Sequence, residues 1–392
     1  MVHISHFATV LLALTASASA WASPIATPSA GIALVKRDNT FEKRLRKRVP
    51  LGAEEERDGL IARSLEERAV PNSKFKRAPG ATYYTALVAV GASYTDNAHS
   101  RDSKYAGSLR DYHPYNKYGG RYSNGPVAVE YLVQSGLKPA LKQQSGGVKL
   151  IDYAYGGSVI QNQLSGTSAN SPAAKDQIAT YLADLKAGKA PIGSGRVLHY
   201  FNSGINPVTQ IWNNALSSGL SSSAISTAKA AITANTKAYA AAIRSINTNS
   251  AVTTKIHGVD FLLVGIPALD IVPSIGYQIP STYSAAKRAQ AIALMNTLSN
   301  QFNDELKAFA AALKAENTNG RVVFYDLASL WRSMHSSPKT YGITASATAT
   351  CYNSTTGGVC SNPAKYIYFD TLHPVTSVHK LMAEKMAALV QF

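Results

Sequence analysis

The 392-residue sequence is poor in cysteine and, beyond its first 22 residues, has no long apolar run. Only two cysteines occur, Cys351 and Cys360, and no further metal-ligating residues are arranged around them. A metal pair is therefore disfavoured, and in an exported chain one disulfide closing a small loop is expected. No stretch approaches the roughly 18 uninterrupted apolar residues that a membrane helix needs, so no stable membrane insertion is expected.

The sequence also lacks a motif for nucleic-acid recognition, although it carries a formal net charge of +16. Its basic residues are scattered along the chain and do not form a stripe. Nucleic-acid binding proteins usually combine clustered basic residues with a recognisable motif. A solvated basic surface is therefore the better interpretation, and nucleic acid is not an expected partner.

Residues 1–22 have the pattern of a secretory signal peptide. Phe7 to Leu14 form a short apolar run, and Ala18-Ser-Ala20 offers a cleavage site of small residues. The run is too short to span a bilayer. The sequence thus predicts a secreted, extracellular product.

Residues 23–77 are predicted to be a disordered pro-segment. They alternate basic pairs with acidic clusters and contain few large apolar residues, so they could bury little surface. Trimming at Lys76-Arg77 would leave Ala78 as the mature N-terminus. A retained charged tail is the alternative. Residues 78–392 are long enough for one large domain.

From Tyr83 onward, short apolar runs alternate with stretches of helical periodicity. The runs have the length and continuity of strands buried on both faces. The five predicted strands are Ala86 to Val90, Val148 to Ile151, Val197 to Phe201, Asp260 to Val264 and Val322 to Tyr325.

Three helices are predicted from apolar residues at helical spacing. The first runs from Ile225 to Ile246, the second from Ile292 to an end at Asn319-Gly320, and the third follows an N-cap at Thr376. Alternating strands and helices predict an α/β fold, a three-layer α/β/α sandwich with a mostly parallel central sheet.

A possible catalytic group is formed by Ser93, Asp370 and His373. A hydroxyl is a poor nucleophile at neutral pH and needs a base, which His373 can provide. Asp370, three residues earlier, can hold the imidazole at Nδ1 and stabilise the imidazolium that forms. Taken singly, each residue could be an ordinary turn or capping residue. Together they indicate ester hydrolysis by a serine nucleophile.

Three donors are predicted for the oxyanion of the tetrahedral intermediate. They are the backbone N–H groups of Ser93 and Gly157 and the side-chain amide of Asn206. Each follows a predicted strand, where ligands of open α/β sheets bind. Gly156 is a rival for the role of Gly157, and Asn206 could instead stabilise a turn.

These residues lie in ordered blocks that resemble the GDSL or SGNH hydrolases, in particular secreted fungal acylhydrolases and carbohydrate acetylesterases. The resemblance runs from about Thr82 to the C-terminus. The blocks are Gly91-Ala-Ser93-Tyr-Thr-Asp96-Asn97, Gly120-Arg-Tyr-Ser-Asn124-Gly125-Pro, Asp152-Tyr-Ala-Tyr-Gly156-Gly157, Gly204-Ile-Asn206 and Asp370-Thr-Leu-His373-Pro.

The resemblance implies a flavodoxin-like fold and neither a cofactor nor a metal. It assigns the four functional positions of the family to Ser93, Gly157, Asn206 and His373, and the triad acid to Asp370. The chain departs from the family in having Ala92 where the family has Asp, and Pro207 after Asn206 where it has Asp. We expect that one replacement accommodates the other.

The expected substrate is a small-molecule or oligosaccharide ester with a short acyl group, and acetyl on carbohydrate is favoured by analogy with the family. One alternative is a lipase or phospholipase that acts on longer acyl chains. Another is a catalytically decayed carbohydrate-binding protein on the same fold. A monomer is the default expectation.

Two further features bear on carbohydrate. A tyrosine-dense segment could stack on sugar rings, although packing of a long loop is the competing interpretation. It contains Tyr105, Tyr112, Tyr115, Tyr118 and Tyr122. Asn353 begins the one sequence that fits an N-glycosylation acceptor, inside the Cys351–Cys360 loop.

Overall fold

The computed structural model describes residues 81–98, 119–166 and 171–391. All of them belong to one unit that spans Phe75–Phe392. The predicted signal peptide and pro-segment lie outside the described residues. So do the tyrosines of the tyrosine-dense segment, with the exception of Tyr122.

A parallel sheet of five strands forms the centre of the described chain, in the order β2-β1-β3-β4-β5. The strands are β1 (Tyr84–Gly91), β2 (Lys149–Asp152), β3 (Arg196–Asn202), β4 (Gly258–Val264) and β5 (Val322–Tyr325). Every residue of β3 and β4 is buried, and in β1 all but one are. The strands that are buried almost throughout, β1, β3 and β4, are the three central strands of the sheet. All five predicted strands are confirmed.

Helices surround this sheet. They are α1 (Ala128–Leu132), α2 (Ala174–Lys186), α3 (Ile205–Ser217), α4 (Ser222–Thr248), α5 (Ser250–Lys255), α6 (Pro273–Gln278), α7 (Ala285–Glu316), α8 (Leu327–Ser336) and α9 (Thr376–Leu389). None of the described helices has the length and apolarity that crossing a membrane would require.

The strand order places helices on both faces of the sheet. The chain moves outward from β1 to β2, then crosses back over β1 to β3 and continues to β4 and β5. Right-handed crossovers put connections of opposite direction on opposite faces. In agreement, α1 packs against α9, whereas α2, α3, α4, α5 and α7 pack among themselves. The predicted α/β fold is confirmed, and the order is that of flavodoxin-like sheets.

Two predicted helix ends are wrong by a few residues. Helix α7 ends at Glu316, because the side chain of Asn317 leaves the helix to donate to Val259 O at 2.8 Å. Helix α9 has Val375 as its N-cap, with Thr376 as its first residue. The capping acceptor comes from elsewhere in the chain, since Asn124 Oδ1 accepts from Thr376 N at 2.9 Å.

Cys351 and Cys360 form the predicted disulfide. It closes a hairpin of two short antiparallel strands, β6 (Tyr352–Asn353) and β7 (Gly358–Val359). The hairpin is held to the segment that leads into the Asp370 loop, because Tyr352 N donates to Phe369 O at 2.7 Å.

Candidate active site

Ser93 lies in a tight turn directly after β1. The N–H groups of Thr95 and Asp96 both donate to Ala92 O at 2.9 Å, which closes the turn. The buried side-chain amide of Gln177 holds the start of this turn. Its Oε1 accepts from Gly91 N and its Nε2 donates to Gly91 O, each at 3.0 Å. Ser93 is thereby held at the carboxyl end of a central strand and is 6% exposed.

His373 connects the serine to a carboxylate. Its Nε2 lies 2.8 Å from Ser93 Oγ, and its Nδ1 lies 2.7 Å from Asp370 Oδ2. The other carboxylate oxygen, Oδ1, accepts from the N–H groups of His373 at 2.7 Å and Leu372 at 2.8 Å. Both oxygens of Asp370 are therefore engaged with the loop that carries His373.

The carboxylate decides which imidazole nitrogen carries the proton. An ionised carboxylate can only accept hydrogen bonds, so Nδ1 is the protonated nitrogen. Nε2 is then left to accept the hydroxyl proton of Ser93. This is the arrangement in which a histidine can act as general base towards a serine.

Two tyrosine rings pack against the imidazole. The centroid of Tyr122 lies 5.1 Å from that of His373, and the centroid of Tyr94 lies 5.9 Å from it. Tyr94 also donates from its hydroxyl to Leu372 O at 2.7 Å. Burial, and after it Tyr368 and Asp370, raise the pKa of Tyr94 well above its ordinary value, so its hydroxyl stays a donor.

The two glycines proposed for the oxyanion site have different environments. Gly156 N donates to Asp96 Oδ2 at 2.6 Å, and a Cβ on Gly156 would collide with the ring of Tyr122. Gly157 has a φ of +75° and open space where a Cβ would lie. No described residue accepts a hydrogen bond from Gly157 N or Ser93 N. Gly157 is thus better placed than Gly156 to donate to a ligand.

Asn206 lies in the first turn of α3, four residues after the end of β3. Its Nδ2 donates to Ser158 O at 2.9 Å, which uses one of the two amide hydrogens. The second hydrogen remains for a ligand. Pro207 follows at a position where the backbone N–H would have no partner within the helix, so its lack of an N–H costs the helix nothing.

The block from Gly120 to Pro126 holds the histidine loop in place. Ser123 Oγ donates to Pro374 O at 2.9 Å, and Thr376 Oγ1 donates to Pro126 O at 2.8 Å. The same block presents Tyr122 to His373. Its function in the fold is therefore to fix the C-terminal part of the site against the first part.

A buried pair of carboxyl groups braces the turn behind Ser93. Asp152 accepts from Asn97 N at 3.1 Å and from Ala154 N at 2.9 Å, and Asp96 accepts from Gly156 N and Ala98 N. Burial, followed by the charge of Asp96, raises the pKa of Asp152 well above its ordinary value.

An open cavity of about 440 Å³ lies against His373. Its walls are Gly157, Asn206, Thr209, Gln210, Ser274, Gln278 and the segment Asp370–His373. Leu372 is the one aliphatic residue of the lining, and most of the other side chains are polar. The cavity joins two predicted oxyanion residues to the predicted base.

The structure joins Ser93, His373 and Asp370 by hydrogen bonds and places Gly157 and Asn206 in the wall of the cavity beside His373. Sequence reasoning did not assign Gln177, Asp96 or Tyr94 to the site. Tyr94 and Asp96 lie in the Ser93 block, which was a local signal. Gln177 had no local signal, because only folding brings it next to Gly91. Trp212 and Trp331 are fully buried core residues.

Asn353 lies in the hairpin, where its Oδ1 accepts from Thr355 N at 2.9 Å and Thr356 N at 3.2 Å. In the described ranges, no group of three or more His, Cys, Asp or Glu residues could hold a metal ion.

Comparison with known proteins points to one family. The family model described as "GDSL-like Lipase/Acylhydrolase" matches residues 87–386. The Arabidopsis thaliana protein "GDSL esterase/lipase EXL5" is 28% identical over 95 residues, which cover 24% of this chain and 26% of that protein. "GDSL esterase/lipase 7" of the same plant is 25% identical over 131 residues, 31% of this chain and 35% of that protein. The match thus spans about a quarter to a third of these relatives.

Among solved structures, the extracellular lipase from Streptomyces rimosus aligns with a TM-score of 0.40 and 14% sequence identity. The alignment covers 78% of this chain and 99% of the lipase.

Proposed function

The chain belongs to the GDSL-like lipase/acylhydrolase family, and from that premise we propose that it is a carboxylic ester hydrolase in which Ser93 is the nucleophile, His373 the general base and Asp370 the acid of the triad. Family membership supports the class of reaction. The assignment of residues rests on one observation, the hydrogen-bonded chain from Ser93 Oγ through His373 to Asp370 Oδ2.

In the proposed reaction, Ser93 Oγ attacks the acyl carbonyl while His373 Nε2 takes the hydroxyl proton. The imidazolium is stabilised by Asp370, whose Oδ2 already accepts a hydrogen bond from the Nδ1–H group. When the tetrahedral intermediate collapses, His373 gives its proton to the leaving alcohol. A water molecule, deprotonated by the same imidazole, then releases the acid from the acyl-enzyme.

The negative charge of the intermediate would fall on the former carbonyl oxygen. We assign its stabilisation to Ser93 N, Gly157 N and Asn206 Nδ2. Each such donor, aimed in advance, contributes on the order of 10²–10³ in rate. The hydrogen bond between Asn206 and Ser158 O supports this assignment, because it fixes the amide before substrate arrives.

For the substrate we propose a short acyl group, with acetyl on carbohydrate as the favoured case. The support is the cavity beside His373, whose lining contains Thr209, Gln210 and Gln278 and a single aliphatic residue. Their hydroxyl and amide groups can form hydrogen bonds with the hydroxyls of a carbohydrate. The intact triad geometry also disfavours a decayed, purely binding protein.

We further propose that the protein is exported and trimmed after Arg77, so that Ala78 begins the mature chain. The disulfide between Cys351 and Cys360 supports an oxidising compartment. Sequencing the N-terminus of the secreted product tests this. Ala78 is the expected first residue, and an N-terminus within residues 23–70 would refute the trimming.

The experiment that tests the function is a rate series on p-nitrophenyl acetate, butyrate and palmitate. We expect kcat/KM to be highest for acetate or butyrate and to fall at least about 10³-fold in Ser93→Ala. Ser203→Ala is a matched control, since Ser203 is a buried serine directly after β3 and outside the proposed triad. Unchanged turnover in Ser93→Ala would refute the site, and a maximum at palmitate would indicate a lipase.

A further inference from the structure

A second groove adjoins the proposed active site on the far side of the Asp370 loop. Its volume is about 530 Å³, and its walls are formed by Tyr277, Thr350, Tyr352, Asn353 and Ser354. Asp370 and Thr371 complete the lining, and both residues also line the cavity beside His373. The two spaces are therefore neighbours across a rim of two residues, of which Thr371 is exposed.

Both walls of the groove are attached to the segment that carries the triad acid. On one side, helix α6 is bound to the loop by the hydrogen bond from Ser274 N to Thr371 O at 2.8 Å. On the other, the ring of Tyr352 stacks on Phe369 at 5.6 Å, with 27° between the ring planes. The position of the groove relative to His373 is thus set by the fold.

Tyr277 is the most exposed large hydrophobic residue described, at 76% exposure. Most of this residue is in contact with solvent, so packing within the described chain does not explain why an aromatic side chain lies at this position. An aromatic face beside a cavity lined by hydroxyl and amide groups matches the chemistry of a sugar, which has an apolar ring face and hydroxyls on its edge. Lone exposed aromatic residues are common on protein surfaces. Tyr277 indicates a binding site because it lies in the wall of this groove.

The charges of the groove favour a neutral ligand. Asp370 carries the one charged side chain of the lining, and it is acidic. A phosphate-bearing leaving group, such as a phospholipid headgroup, would meet no cation among these residues. A neutral group rich in hydroxyls needs no cation and is not repelled by Asp370.

The position of the groove also indicates which half of an ester it receives. The candidate oxyanion residues Gly157 and Asn206 line the first cavity and not the groove. The leaving alcohol must lie towards His373, because His373 protonates it. From there, the way past Thr371 leads into the groove.

We propose that this groove is the leaving-group subsite and binds a neutral sugar ring, with Tyr277 as the stacking face. The inference rests on the ester hydrolase function proposed above and specifies its substrate class. Asn353 forms part of the subsite wall, so a glycan on its amide would occupy the space. The secreted protein should therefore carry no glycan at Asn353, and mass spectrometry that found full occupancy would contradict the subsite.

The decisive experiment compares a substrate that fills the subsite with one that cannot reach it. Monoacetylated xylotriose has a sugar leaving group, whereas ethyl acetate releases only ethanol. We expect Tyr277→Ala to lower kcat/KM for acetylated xylotriose by about 2–10-fold, mainly through KM, and to leave ethyl acetate unchanged. Tyr277→Phe, which keeps the ring, should stay within about twofold of the wild type. Leu389→Ala removes the other large hydrophobic side chain that is exposed among the described residues, on α9, and serves as the control.

The outcomes separate the two proposals. Suppose that the wild type hydrolyses ethyl acetate and that Tyr277→Ala affects both substrates equally or neither of them. That result overturns the subsite and leaves the esterase in place. Wild-type turnover of ethyl acetate but not of acetylated xylotriose does the same. Absence of turnover with both substrates removes the esterase itself, and the subsite with it.

Discussion

At the scale of single residues, the imidazole of His373 is positioned by four side chains, three of which come from distant parts of the chain. Asp370 and Ser93 engage its two nitrogens, and Tyr94 and Tyr122 pack against its ring. The ring therefore has little freedom to rotate away from the serine. Pre-organisation of this kind lets a proton transfer proceed without first ordering the base.

Replacing Asp370 by Asn should lower kcat for p-nitrophenyl acetate by about 10²–10⁴-fold. The N–H groups of Leu372 and His373 both donate to Oδ1, so the amide oxygen would take that position. The amide NH₂ would then face Nδ1 and force the imidazole proton onto Nε2, where it blocks the transfer from Ser93. Asp304→Asn, on the exposed side of α7, is the control. A loss smaller than tenfold would argue against Asp370 as the triad acid.

Restoring the family's acidic residue with Ala92→Asp should destabilise the protein and not raise its activity. Ala92 is buried, and its turn already contains Asp96, whose charge contributes to the raised pKa of Asp152. A third carboxylate here would be desolvated without a cation. Ala92→Asn tests the same size without the charge, and we expect Ala92→Asp to be less stable than it by about 2 kcal/mol or more at pH 7. Urea unfolding measures the difference, and a large gain in kcat/KM would refute the coupling of Ala92 with Pro207.

The residues of the proposed triad could be predicted from the sequence, but the residues that hold them could not. Asp370 and His373 could be found because their spacing of three has a local chemical meaning, and Ser93 because it follows a buried run. Gln177 and the contact between Tyr122 and His373 had no such signal. They depend on how elements distant in sequence come together.

At the scale of secondary-structure elements, the junction between β3 and α3 decides where Asn206 lies. Two residues separate the strand from the helix, and Gly204 among them has a φ of +143°. A Cβ at Gly204 would lie 2.5 Å from two ring carbons of Phe302 and 2.8 Å from Ile266. The start of α3 is therefore fixed by a position that accepts only glycine.

Gly204→Ala should lower the free energy of unfolding by about 2–4 kcal/mol, because backbone strain adds to overpacking. It should also reduce kcat/KM at temperatures where the variant stays folded, since α3 carries Asn206. The matched control is Gly219→Ala, which has a φ of +71° but open space around it and should cost about 1 kcal/mol. Equal destabilisation of the two variants in urea would show that packing against Phe302 is unimportant.

Element boundaries show the limit of local patterns. Apolar periodicity predicts the body of α7 correctly, but the pair Asn319-Gly320 resembles a helix stop and predicts the end too late. The helix ends earlier because Asn317 bonds to β4. Likewise Thr376 resembles an N-cap, yet Asn124 supplies the acceptor. In each case a contact between distant residues replaced the local signal.

At the scale of the whole molecule, the sheet order brings the site together. β1 and β3 are neighbours, and the chain leaves them towards opposite faces, which opens a crevice at their carboxyl ends. Ser93 and Asn206 follow these two strands. Five buried apolar runs were sufficient to predict a parallel sheet. The groove that contains Tyr277 and Tyr352 was not predictable, since its parts are joined only by folding.

Two buried histidines should make the protein less stable in acid. Burial lowers the pKa of His379 to about 3, with a further contribution from His373, and burial lowers that of His199 to about 4. Their ordinary pKa is near 6.5, so the neutral folded forms stabilise the protein above that pH, and the stability is lost as the pH falls below it. From pH 7 to pH 5, each of these histidines should lower the free energy of unfolding by about 2 kcal/mol.

Urea unfolding at the two pH values measures this loss, and His379→Phe isolates one part of it. No described group bonds to either ring nitrogen of His379, so phenylalanine removes the titration without breaking a described hydrogen bond. The variant should lose about 2 kcal/mol less than the wild type on acidification. An identical pH dependence would show that folding does not lower the pKa of His379.

The central claim is that Ser93 is a nucleophile activated by His373, and covalent labelling tests it most directly. A fluorophosphonate should modify one residue of the purified protein, and peptide mass spectrometry should locate the adduct at Ser93. The adduct should be absent in Ser93→Ala and form far more slowly in His373→Gln. An adduct on a different residue, or labelling of Ser93→Ala at the wild-type rate, would contradict the account.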